Sequence, residues 1–310
     1  MAPRGNSFVT LVLAFNRPQT LERTLESLLQ YGNSKYSKFV LGLDGPRSNA
    51  DTENVEACKQ LFDDFAIHTK HSLKLYSDTN QGLKKNVVIS VSSAFQSFDS
   101  ENLLILEDDC LLGPGSLGFF DWGFEKLASE EKLGVVSGTY FGKTKPNKAF
   151  TASRFSSWGW GTTQKAWLEF MASDYSNTDL DSLSRDVYEL TKKDPLPYRY
   201  EYSRITRNLG KLDSWAIPFD LFLRREALLT IKPCANQIQN IGFGDNATHT
   251  SRGSSLSIPT GELEIKHLQL ADPDKSKGIE KAEAWVKFRR LASELLFPWL
   301  IRERNGPFSR

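Results

Sequence analysis

The first third of the chain alternates between two textures. FVTLVLA (8–14) is a nearly unbroken apolar run, the pattern of a strand covered on both faces. Pro18 then opens a stretch that puts Leu21, Leu25, Leu28 and Leu29 on one helical face. KFVLGLDG (38–45) reads as a second strand closed by an Asp-Gly turn, residues 51–66 as a helix and SLKLY (72–76) as a short strand. From Gln81 to Phe98, the residues Leu83, Val87, Val91, Phe95 and Phe98 recur at helical spacing, and NLLIL (102–106) is the most hydrophobic strand of the set. The order β-α-β-α-β-α-β predicts an α/β, Rossmann-like fold with a mostly parallel central sheet and helices on both faces. Open sheets of that kind bind ligands at the carboxyl ends of their strands, so polar residues directly after the apolar runs carry weight.

The texture changes after residue 112. Gly and aromatic residues dominate 113–161, and helical patterns fill 162–172, 179–192 and 198–210. NQIQNIGFGDNATHTSRGSS (236–255) is polar and aperiodic, at a length typical of lids. A last helix is expected from Ile279, with Trp285, Phe288, Leu291, Leu295 and, past Pro298, Trp299. These shifts divide the chain into a first part (1–112), a smaller mixed half (113–278) and a C-terminal helix and tail (279–310).

Composition narrows the function. With 39 basic and 38 acidic residues the formal net charge is +1, which removes the electrostatic footprint of a nucleic-acid binder. No apolar run reaches the ~20 residues of a membrane span. VTLVLAF (9–15) is too short for a secretory signal and lacks a small-residue cleavage site, so it reads as a strand. Cys58, Cys110 and Cys234 show no CxxC spacing, which argues against zinc and a disulfide framework and for a reducing cytoplasm. Aromatic residues make up 12%, including 7 Trp, enough for a sugar-binding surface as well as a core.

LLILEDDC (103–110) puts Glu107, Asp108 and Asp109 where a buried strand stops. Adjacent carboxylates repel, and such a cluster calls for a cation. Oxygen ligands suit Mg²⁺ or Mn²⁺ better than zinc. Gly113-Pro114-Gly115-Ser116-Leu117-Gly118 is a literal GxGxxG, but it follows the fourth strand, has acids directly before it, and lacks the acid expected ~20 residues on.

VLAFNRP (12–18), LGLDG (41–45), DTNQGLKKN (78–86) and LILEDD (104–109) together resemble nucleotide-sugar glycosyltransferases of the GT-A fold, in particular the N-acetylglucosaminyltransferase I group and related bacterial enzymes. In these the acidic cluster is the DxD-type motif. SSWGWG (156–161) resembles that family's Gly-Trp segment, and LDSWAI (212–217) its Asp-Asp-Trp segment. The resemblance implies a metal-dependent, inverting transfer of a sugar from a UDP-sugar, such as UDP-GlcNAc or a related hexose donor, to a glycan or lipid-linked saccharide, as in polysaccharide biosynthesis. It makes 1–112 the donor half and 113–278 the acceptor-binding, catalytic half. Phe15 and Arg17 would contact the donor, Arg17 at its diphosphate, and Asp44 would hydrogen-bond the uracil. Asp108 would hold the ribose, Glu107 the donor sugar and Asp109 the metal, with Lys85 near the nucleotide. Asp213 would be the general base, although the same residue could instead cap the following helix. Trp158 and Trp160 would either line the acceptor or pack in the core, and Trp215, beside Asp213, would wall off the carboxylate and supply a sugar platform on the acceptor side.

His249, in GFGDNATHT (242–250), is a second candidate metal ligand, with Asp245 in the same loop. His68, His71 and His267 show no partner spacing. Two rivals share these features: a sugar nucleotidyltransferase, which usually carries a Gly-rich basic loop where Asn16-Arg17-Pro18 stands, and a catalytically inactive sugar-binding relative. Lys287, Arg289 and Arg290 interleave with Trp285, Phe288 and Leu291. That helix either closes over the core or makes peripheral contact with anionic lipid at the inner face of the membrane.

Overall fold

The computed structural model describes residues 8–31, 38–145, 147–177, 184–206, 214–243 and 256–296. The chain builds β1 (Val9–Ala14), α1 (Pro18–Tyr31), β2 (Lys38–Leu43), α2 (Thr52–Ile67), β3 (His71–Tyr76), α3 (Leu83–Phe98) and β4 (Asn102–Glu107). β5 (Cys110–Leu112), α4 (Ser116–Ser129), β6 (Leu133–Ser137), β7 (Lys148–Ala152) and β8 (Trp160–Thr163) follow. Next come α5 (Gln164–Ala172), α6 (Asp174–Asn177), α7 (Ser184–Thr191), α8 (Leu196–Thr206) and α9 (Ala216–Arg225). The last elements are β9 (Leu229–Pro233), β10 (Ile238–Asn240), β11 (Gln269–Leu270) and α10 (Pro273–Leu296).

Nine strands form one sheet in the order β11-β7-β9-β6-β8-β4-β1-β2-β3. The β3-β2-β1-β4 portion is entirely parallel, while β8 runs antiparallel to both β4 and β6. The period of two along each central strand explains the double cover. Val12, Ala14, Leu104 and Leu106 face α1, α2 and α4, whose Leu21, Leu25, Phe62, Phe119 and Phe124 share their core. Leu11, Leu13, Leu103 and Ile105 face the other way, into a core with Val87, Val91, Phe170 and Phe219 of α3, α5 and α9. The nine-stranded sheet draws strands from both sides of residue 112, because β8 hydrogen-bonds β4, while β5 pairs with β10 in a separate two-stranded sheet.

Residues 116–129, within the stretch dominated by Gly and aromatic residues, form a helix that contains Gly118 and Gly123. Both glycines serve close packing: a Cβ at Gly123 would lie 2.7 Å from Val136 on β6, and one at Gly118 2.9 Å from Ile265. The final helix starts at Pro273 rather than Ile279. Asp272 caps it, accepting from the Lys275 amide at 2.9 Å, and proline occupies its first position.

Polar side chains pin α10 to the sheet. Glu280 accepts from the backbone and hydroxyl of Ser153 at 2.9 and 2.8 Å. Glu283 takes both hydrogen bonds of Lys232 on β9, at 2.6 and 2.7 Å, and one from the Phe141 amide at 3.1 Å. Lys287 pairs with Glu201 of α8 at 3.0 Å, and Phe288 sets its edge against Tyr200. Lys287 and Phe288 are therefore turned toward α8, as the core-closing one of the two readings of this helix requires; Arg289 is exposed. Among the described residues no helix is long and apolar enough to cross a membrane. Cys58, Cys110 and Cys234 are buried free thiols.

Candidate functional site

Strand order reverses at β1: β2 lies on one side and β4 on the other. Such a switch point opens a crevice at the carboxyl ends of the two strands. Arg17 follows β1, and Asp108 and Asp109 follow β4, so the crevice is lined by one guanidinium and the acidic cluster. Pro18 at the first position of α1 fixes where the helix begins and leaves Arg17 at the junction, its carbonyl accepting from the Leu21 amide at 3.1 Å.

Arg17 bridges the two aspartates. Its Nε donates to Asp108 Oδ2 at 3.2 Å, its Nη2 to Asp108 Oδ1, and the same Nη2 pairs with Asp109 Oδ2 at 2.9 Å. Both aspartates are buried, at 3% and 4% exposure, and Glu107 is half-buried. Small polar residues of α1 clip the turn in place. Thr24 Oγ1 donates to the Asp108 carbonyl at 3.1 Å, and Ser27 Oγ accepts from the Leu112 amide at 3.2 Å.

The far wall comes from a segment expected to be part of a lid. Residues 238–240 are instead a strand, paired antiparallel with β5. Asn240 Nδ2 donates to Asp109 Oδ1 at 3.0 Å, and Asn240 Oδ1 accepts from the Gly242 amide at 2.9 Å. The Ile241 amide donates to the Asp109 carbonyl at 2.9 Å. A Cβ at Gly242 would lie 1.9 Å from Asp109 Oδ2, so only glycine lets this backbone approach the cluster. Asn240 and Gly242 were missed because the polar stretch carries no period, and the β5–β10 pairing that brings them to Asp109 leaves no local signal in the sequence.

One guanidinium faces three carboxyls. Burial lowers the Arg17 guanidinium, but Asp108 and Asp109 outweigh it and leave the group above its ordinary range. Burial raises Asp108, Arg17 opposes and Asp109 reinforces, with a net value of about 6. Burial, then Asp109 and Asp108, push Glu107 to about 8 against Arg17. Folded values above the ordinary range mean a contribution to stability that is complete below about pH 4 and is lost as pH rises through 6 for Asp108 and 8 for Glu107. An added cation would remove that penalty. Among the described residues no three His, Cys, Asp or Glu side chains converge to enclose an ion. Asp108 and Asp109 offer oxygen donors alone, the ligand type of a hard divalent ion such as Mg²⁺.

The remaining candidates are dispersed. Asp44, at the end of β2, is buried and holds the following loops: its Oδ1 accepts from the amides of Gly45 and Gln81 at 2.9 and 2.8 Å, and its Oδ2 from Asn80 Nδ2 at 3.0 Å. Phe15 is half-buried beneath the Arg47 guanidinium, 4.9 Å from its ring centre. Arg47 in turn holds Asp51 at about 2, and Asp51 accepts from Asn16 Nδ2 at 2.6 Å. Lys85 is exposed on the first turn of α3, and no described hydrogen bond or ion pair joins it to the cluster. Trp158 is half-buried and meets Phe243, next to Gly242, at 5.6 Å between ring centres. Trp160 and Trp215 are core residues, 0% and 2% exposed, stacked 4.9 Å apart; Trp160 thus takes the packing role of the two open to it, and the acceptor platform expected of Trp215 is corrected. Asp213 and His249 lie outside the described residues, as does Asp245.

No family model and no curated protein matches the chain. Among solved structures, a cytidylyltransferase from Leptospira borgpetersenii is similar over 67% of this chain and 74% of its own, at 13% identity and a TM-score of 0.33. At that level the likeness carries no argument about function; the α/β fold with its mostly parallel sheet rests on the chain's own topology.

Proposed function

We propose that this chain is a divalent-cation-dependent glycosyltransferase of GT-A type that moves a sugar from a UDP-sugar to a hydroxyl of a glycan or lipid-linked saccharide, with inversion. The observation that carries the reading is Arg17 set against Asp108 and Asp109 at the switch point of the sheet. A nucleoside diphosphate needs positive charge at its phosphates, and Arg17 offers a planar, permanently charged donor there. Asp109, oriented by Asn240, would hold the ion together with diphosphate oxygens. When bound, Mn²⁺ or Mg²⁺ supplies charge against the departing diphosphate.

The other residues bind and orient. Asp108 would accept from the ribose hydroxyls and Glu107 from the donor sugar; Phe15 would lie against the nucleoside and Asp44 would read the uracil. Lys85 would add charge at the nucleotide. Asp213 would take the proton of the acceptor hydroxyl as that oxygen bonds to the anomeric carbon and the carbon–phosphate oxygen bond breaks. General-base help of this kind contributes roughly 10²–10⁴-fold. Trp158, close to Gly242 through Phe243, is the aromatic ring we assign to the acceptor side.

The test is product analysis. The protein is incubated with Mn²⁺ and UDP-sugars plus saccharide acceptors, and in parallel with nucleoside triphosphates plus sugar phosphates. Release of UDP that needs an acceptor supports sugar transfer. Pyrophosphate release in the second arm would make the chain a nucleotidyltransferase and overturn the proposal.

A further inference from the structure

Outside the acidic cluster, the segment after β6 and the first half of α10 enclose a groove of about 440 Å³. Ordinary small-ligand sites run from roughly 300 to 1,000 Å³. Four ammonium groups line it: Lys143, Lys145, Lys148 and Lys275. Lys275 shares its charge with Asp272 at 2.7 Å, whereas the three exposed lysines of 143–148 pair with no described carboxylate. Like charges gathered around one groove are most favourable with an anion between them. The wall beneath them is apolar, built from Tyr140, Ala271, Ile279 and Val286.

Gly278 is an independent observation. It lines the groove from inside α10, where glycine weakens a helix relative to alanine. Outside its chain neighbours and its own helix backbone, no protein atom lies within 4 Å of the place its Cβ would take. Packing does not ask for glycine here, and the helix backbone is left open on the groove.

We infer that this groove binds the phosphate headgroup of an anionic lipid, with the phosphate among the lysines and the first methylenes against Tyr140, Ile279 and Val286. A free phosphate would use the rim and leave the apolar wall in water; an amphiphile uses both. The groove lies at β7, five strand spacings or roughly 24 Å from Arg17 at the end of β1. It shares no residue with the acidic cluster, so its test is independent of sugar transfer.

The full chain is sedimented with vesicles of phosphatidylcholine, alone or with about a third phosphatidylglycerol, at low salt. Selective pelleting with the anionic vesicles is expected. Replacing Lys143, Lys145 and Lys148 by Gln should lower the partition constant about 100-fold, at roughly fivefold per lysine near an anionic surface. Gly278→Glu puts an anion in the groove and a good helix former in the helix, so it should keep the melting temperature and lose tenfold or more in binding. Three results would overturn the inference: wild type left in the supernatant with anionic vesicles, Gly278→Glu and the lysine variant pelleting like wild type, or thermal stabilisation by inorganic phosphate without any vesicle binding.

Discussion

Asp109→Asn should lower turnover of a UDP-sugar by about 10²–10³-fold and leave the protein folded. The magnitude is that of removing one preorganised charge-stabilising group from a buried site. The fold should survive because asparagine keeps the shape of aspartate and an oxygen for Asn240 Nδ2, which the aspartate meets at 3.0 Å. Arg17 gives up its contact to Asp109 but keeps two hydrogen bonds to Asp108. Loss of one of three mutually repelling carboxyls offsets the lost ion pair. The check pairs steady-state kinetics with a thermal melt. Turnover within about threefold of wild type, in a protein with an unchanged melt, would remove Asp109 from the site.

Breaking the Lys232–Glu283 pair should cause the largest loss of stability. The two side chains are 5% and 1% exposed, and they join β9 to α10. Lys232→Met strands the Glu283 carboxylate in the interior, at a cost of about 3–5 kcal/mol, or a fall in Tm on the order of 10 °C for a chain of this size. Adding Glu283→Gln removes the stranded charge and keeps an acceptor for the Phe141 amide, which Glu283 receives at 3.1 Å. The double variant should therefore recover most of the loss, because a buried pair replaced as a unit is often close to neutral. Equal melting temperatures for the single and double variants would contradict this account of how α10 is held.

β1, β2 and β4 were legible because they are buried on both faces. Leu103–Leu106 is wholly apolar, Val9–Ala14 is broken only by Thr10, and no turn residue interrupts either. The second half was not, because its short strands depend on partners far away in sequence: β8 is fixed by β4 and β6, and β10 by β5. Gly118 and Gly123 are close contacts of α4 with Ile265 and Val136, which the sequence does not announce. The site divides the same way. Arg17, Asp108 and Asp109 were visible as polar residues at strand ends, where the topology makes them converge. Asn240 and Gly242 reach Asp109 only through the β5–β10 pairing, which no local pattern announces. Trp215 shows the reverse error: a Trp beside Asp213 resembles a sugar platform, but here it stacks on Trp160 and fills the core between β8 and α9.

The account turns on whether the crevice beside Arg17 holds a nucleoside diphosphate. A calorimetric titration of the full chain with UDP, in Mn²⁺ and in EDTA, tests this most directly. The account predicts saturable binding in Mn²⁺ that is lost in EDTA and in Arg17→Ala. No binding of UDP with the metal present, or binding unchanged by both EDTA and Arg17→Ala, would contradict it.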